Sequence, residues 1–135
     1  MPDYITFKSG DFTATLDLRE IHRLELTPWR KLLKIAAQSM WDNAGDLRQL
    51  INWFDETGIP DAKRRVDDAK KNIETDTWPT KGVNEFERER ARWHNAQLKE
   101  SLTKAKKRAQ LLERRRAAIH DTITDEQLEY WLHQL

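Results

Sequence analysis

Four histidines, His22, His94, His120 and His133, and 23 carboxylates are the side chains here that could bind a metal or move protons. No two of the histidines lie four apart, and none stands in an H-E-x-x-H pattern. That spacing would put two imidazoles on one helix face with a carboxylate to activate water. The three serines, Ser9, Ser39 and Ser101, lack a G-x-S-x-G setting, and no glycine-rich phosphate loop occurs. Carboxylate pairs such as Asp67-Asp68 and Asp125-Glu126 sit in charge-rich stretches, where they read as ordinary solvated neighbours. The chain has no cysteine, so thiolate nucleophiles, disulfides and Cys-ligated zinc or iron–sulfur centres are excluded. The expectation is a protein without catalysis, metal or cofactor, which acts by binding.

Charge narrows the partners. A net charge of +1 creates no global field toward nucleic acid or an anionic membrane, so any such attraction must come from a local patch. No stretch approaches the ~18 uninterrupted apolar residues of a membrane span, and no membrane contact is expected. The opening "MPDYITFKSGDF" has neither a basic start nor an apolar run, so no export signal is expected. With the lack of cysteine, this points to the cytoplasm.

The most charged stretch is "SLTKAKKRAQLLERRRAAIHD", residues 101–121. It belongs to a predicted helix from 83 to 121, a rod of roughly 55 Å at ~1.5 Å per residue. Positions 98, 102, 105, 109, 112, 116, 119 and 123 alternate spacings of four and three. They form a heptad seam of Leu98, Leu102, Ala105, Ala109, Leu112, Arg116, Ile119 and Ile123. Phe86 and Trp93 extend a similar, less regular stripe backward. So thin a seam needs a neighbouring helix, either the one before it in the chain or a second protomer. Arg116, on the seam, either snorkels or pairs with an acidic neighbour, or else specifies register between protomers.

Opposite the seam fall Lys99, Lys104, Lys106, Lys107, Arg108, Arg114 and Arg115. They read either as the wet face of a packed helix or as a stripe that tracks phosphates. Asn, Gln, Ser and Thr, which read base edges, are few there, so contact with nucleic acid would be non-specific. The acidic residues gather in the middle of the chain and in its last segment. They complement the basic rod within the molecule, or imitate nucleic acid for a basic partner.

The fold class predicted is mainly α with a small N-terminal β-hairpin: a helical bundle whose long helix forms a helical hairpin or coiled coil. Residues 1–135 read as a single domain. Residues 1–26 alternate as two strands about the Ser9-Gly10-Asp11 turn, with 21–26 a third strand or a short helical turn. Residues 27–75 carry three short helices. The first is capped by Thr27-Pro28, and Gly45 ends it; Gly58-Ile59-Pro60 ends the second. A loop, "TDTWPTKG", precedes the rod, and Thr124-x-x-Gln127 opens a last helix over 124–135, with Leu128, Trp131, Leu132 and Leu135 on one stripe.

Six tryptophans are many for 135 residues. Trp29 and Trp41 fall on the first helix's apolar stripe and read as core. Trp53 and Trp131 read as half-buried. Trp78, beside Pro79 in the loop, has no periodic reason for burial; it clamps the loop onto the helices or anchors a partner. The function expected is a non-catalytic protein-binding and assembly module that self-associates through the long helix. It would also use a hairpin edge open to strand addition. Its size and unspecialised make-up suit a phage or mobile-element inhibitor of host machinery, of the anti-defence type. The alternative is a nucleic-acid-binding protein that uses Lys104, Lys106, Lys107, Arg108, Arg114 and Arg115.

Overall fold

A computed structural model describes residues 4–134, and Leu135 of the expected last stripe lies outside them. Its elements are β1 (Tyr4–Ser9), β2 (Phe12–Asp17), a 3-10 turn (Leu18–Arg23), α1 (Leu26–Gln38), α2 (Met40–Trp53), a π-helical turn (Phe54–Gly58), α3 (Ile59–Asp76), α4 (Glu85–Thr122) and α5 (Asp125–His133). The fold is mainly α with a small β-hairpin, as the patterning requires. Contacts divide it into two compact units: one up to Gly58 and from Leu111 onward, the other Ile59–Gln110. No helix among the described residues is long and apolar enough to cross a membrane.

In the first unit the antiparallel hairpin pairs Ile5 with Leu16 and Phe7 with Ala14. Ile5, Phe7 and Leu16 are buried, while the Thr6 and Thr15 hydroxyls meet at 3.2 Å on the other face. The two-residue turn uses Gly10 at φ +59°, where a side chain would strain the backbone. Of the two readings for residues 21–26, the helical turn occurs. Asp17 Oδ1 accepts from the Arg19 N–H at 2.9 Å and starts it, turning Leu18 and Ile21 inward.

Three expected boundaries shift. Helix α1 begins at Leu26 with Glu25 as N-cap, so Thr27 does not cap it. Pro28 sits inside the first turn, where its missing N–H leaves no bond unmade. Gly45 lies inside α2 rather than ending α1; the break comes at Ser39, whose hydroxyl bonds to that of Ser9 at 3.2 Å. The tertiary fit to the hairpin sets that break, and a helical glycine is tolerated at a cost of about 1 kcal/mol. Gly58-Ile59-Pro60 does not stop the chain either. A widened π turn leads directly into α3, and it accommodates the absent N–H of Pro60. Gly58 itself has a local reason: a Cβ there would stand 2.7 Å from the Trp53 ring.

The core of this unit joins Trp29, Leu33, Ala36, Leu47, Leu50 and Phe54 to Leu112, Ala118, Ile119, Ile123 and Leu128. Trp29 and Phe54 meet edge to face with centroids 6.0 Å apart, and Trp29 Nε1 donates to the Arg115 carbonyl at 3.0 Å. Asn43 is buried among these apolar groups. Its Oδ1 accepts from the Lys8 N–H at 2.8 Å. Its Nδ2 donates to the Lys8 carbonyl at 2.7 Å and to the Ala36 carbonyl at 3.2 Å. One carboxamide thus does at Lys8 what a third strand would do, so the free edge of β1 is closed there. The expectation of an open edge does not hold for β1 at that position. The Thr124–Gln127 capping box starts α5 as the sequence predicts.

In the second unit α3 and the first part of α4 form a helical hairpin closed by residues 77–84. Asn84 caps α4 by accepting from the Glu87 N–H at 2.8 Å. The covered positions of α3 are Ala62, Val66, Ala69 and Ile73, with part cover at its first turn; those of α4 include Ala91, Leu98, Leu102, Ala105 and Ala109. These are two thin stripes of small and medium side chains.

Candidate partner-binding surface

Phe86, Arg90 and Trp93, spaced four and three, share one face of α4. Phe86 is 67% exposed and Trp93 68%. They are not the backward continuation of the seam, which runs instead through Ala91 and the half-buried Asn95. The reason is phase: from Leu98, steps of three and four reach 95 and 91, whereas 93 and 86 lie more than 100° round the helix. The Arg90 guanidinium sits 5.7 Å from the Phe86 ring centroid. Trp78, Phe86, Glu89, Arg90 and Trp93 line an open cleft of about 280 Å³.

Trp78 is both clamp and exposed surface. Its N–H donates to Asn95 Oδ1 at 2.9 Å, and Asn95 Nδ2 donates back to its carbonyl at 3.0 Å. Its ring stacks on His94 at 3.9 Å and 11°, and His94 Nε2 lies 2.8 Å from the Asp76 carbonyl oxygen. Arg88 Nε donates to the Thr80 carbonyl at 3.0 Å. The loop is therefore pinned to α4 at three points, yet 42% of Trp78 remains exposed.

The seam separates into two stretches. Leu112 and Ile119 are buried within the first unit, where Arg116 forms a forked pair with Asp55: Nε to Oδ1 at 2.9 Å and Nη2 to Oδ2 at 3.2 Å. Leu98, Leu102, Ala105 and Ala109 are half-buried in the second unit.

On the basic face, Lys99, Lys104, Lys106, Lys107 and Arg114 are exposed and Arg108 is half-buried. Lys104 pairs with Glu100 at 3.1 Å. Arg115 does not belong to this face: it is 5% exposed, and its Nε donates to the Leu24 carbonyl at 2.9 Å. Loss of solvent, with Arg114 and Arg30 nearby, pushes its pKa down from the usual guanidinium value.

Trp41 also departs from expectation. It is 56% exposed, because the break at Ser39 rotates α2 relative to α1 and takes Trp41 off the α1 stripe. With Trp131, 6.1 Å away edge to face, it borders a second cleft of about 290 Å³. Trp53 and Trp131 are half-buried as expected. Of the histidines, His120 lies 3.8 Å from Asp125 in an exposed pair, and His133 Nδ1 is 2.7 Å from the Glu129 carbonyl oxygen.

Comparison with protein-family models, with curated proteins and with solved structures finds no match.

Two signals in the sequence mark these features. Asn43 is a polar residue on an otherwise apolar α2 stripe. Phe86 and Trp93 are seven apart with Arg90 between them, which already defines a face distinct from the seam.

Proposed function

We propose that this chain is a non-catalytic protein-binding and assembly module, and that it engages its partner through the outward face of α4 around Phe86 and Trp93. The observation that carries this reading is the exposed Phe86–Trp93–Trp78 cluster on a loop and helix already pinned together. Large exposed aromatic groups held rigid lose little conformational freedom on binding, and aromatic and arginine side chains dominate interface energetics. Action by occupancy fits the anti-defence type of role expected from the chain's size, in the cytoplasm. A photo-crosslinking side chain in place of Phe86 should form protein adducts when the chain is made in cells, and one in place of Arg114 should form none. Equal labelling at both positions overturns the assignment of the face.

A second reading rests on Lys99, Lys106, Lys107 and Arg114, which stand exposed along α4. They support a non-specific nucleic-acid contact. Fluorescence anisotropy with labelled single- and double-stranded DNA and RNA tests it. Binding that persists at ~150 mM salt and is lost in the Lys106→Glu/Lys107→Glu/Arg114→Glu variant would make the basic face the site. Binding confined to low salt would remove it.

A further inference from the structure

The face that carries Phe86 and Trp93 is complementary to itself. Residues 86–93 read "FERERARW". An aromatic ring stands at each end, the exposed carboxylates Glu87 and Glu89 lie in the first half, and the exposed Arg90 and Arg92 in the second. The half-buried Arg88 is committed to the Thr80 carbonyl and Glu85. Inverting the order about the point between 89 and 90 exchanges the two aromatics and, among the exposed side chains, the two charge signs. Two helices that cross antiparallel with a two-fold axis there would set Phe86 over the partner's Trp93, and the reverse. The Glu87–Glu89 half of each would then lie along the Arg90–Arg92 half of the other. That is the isologous arrangement of a two-fold dimer, in which one patch serves both partners.

All four charged side chains are exposed. Nucleic acid fits this face less well, because Glu87 and Glu89, with Glu85 in the same turn of α4, oppose phosphates. From this self-complementarity of charge around an exposed aromatic pair we infer that the occupant of the face is a second copy of this chain, docked antiparallel over residues 86–93. The inference rests on the proposed function and names its partner. It also moves self-association from the 98–119 seam to the outer face of α4. The contact is short, below the ~1,200 Å² typical of stable complexes, so the dimer is weak and forms at concentrations of about 10 µM to 1 mM.

Sedimentation equilibrium of the full chain over that range tests it, with far-UV circular dichroism to confirm the fold of each variant. Wild type should move from monomer toward dimer mass. Glu87→Arg/Glu89→Arg, and separately Arg90→Glu/Arg92→Glu, should each stay monomeric, since each puts like charges face to face. An equimolar mixture of the two variants should recover dimer, because each now supplies what the other lacks. A mixture no heavier than its components overturns the proposal, as does a wild-type dimer that survives in both variants. A wild type that stays monomeric throughout also overturns it. If Phe86 crosslinks to other proteins in that last case, the protein-binding function stands and only the second copy as occupant falls.

Discussion

In one compact unit Asn43 holds both the N–H and the carbonyl of Lys8; in the other Asn95 holds both those of Trp78. The chemistry is the same, a side-chain carboxamide that bridges the two polar groups of one residue. The setting differs. Asn43 is sealed between β1, α1 and α2, whereas Asn95 lies half-buried under an exposed loop. The seam of α4 repeats the contrast: Leu112 and Ile119 lie in a core, and Leu98 and Leu102 lie against a hairpin of two helices. Identical sequence devices thus take their energetic weight from the layers above them. A polar group that water can reach when its partner is lost costs little, and one that water cannot reach costs its full desolvation.

The largest effect that sharpens this contrast is expected at the seam. Leu112→Ala should destabilise the first unit by about 2–5 kcal/mol, the range for emptying a packed leucine site. Leu102→Ala should cost about 1 kcal/mol, because the leucine it removes is only half-buried. Urea unfolding gives the magnitudes, and amide hydrogen exchange tells which unit loosens. Equal costs at the two sites would end the distinction between the stretches.

Next comes the pair of asparagines. Asn43→Ala should cost about 2 kcal/mol, since it removes three hydrogen bonds made by a fully buried carboxamide, one of them to the buried Ala36 carbonyl. Asn95→Ala should cost a fraction of that, water replacing its bonds, while it frees the loop and raises proteolytic cleavage near Trp78. A larger loss from Asn95→Ala in thermal unfolding would reverse the order proposed here.

The smallest effect concerns Asp46, half-buried on α2, whose carboxyl burial pushes above its ordinary 3.8 while Lys8 opposes the shift. A carboxyl with a raised folded pKa favours the fold below pH 3.8, and that contribution fades as pH rises through the folded value. Asp46→Asn should therefore melt slightly higher than wild type at pH 7, with the difference shrinking to nothing near pH 3.8. A variant that melts lower at pH 7 would show that Asp46 gains more from Lys8 than it loses by burial.

Much of this architecture is legible in local chemistry. Gly10 at the hairpin turn, the Thr124–Gln127 box, the thin stripe of α3 and the heptad of α4 are each defined by residues within a few turns of one another. Period and capping are short-range properties, so sequence decides them where packing does not intervene, as it does at the starts of α1 and α2. The position of the α1–α2 break, the exposure of Trp41, the burial of Arg115 and the fork between Arg116 and Asp55 rest on residues far apart in the chain. At those places a residue's local preference is worth about 1 kcal/mol or less and yields to packing worth several. The sequence by itself determined most of the helical and strand segments and the lack of any thiol chemistry. Only the tertiary structure decided which face of the long helix is covered, because burial belongs to the neighbours that a residue meets and not to the residue.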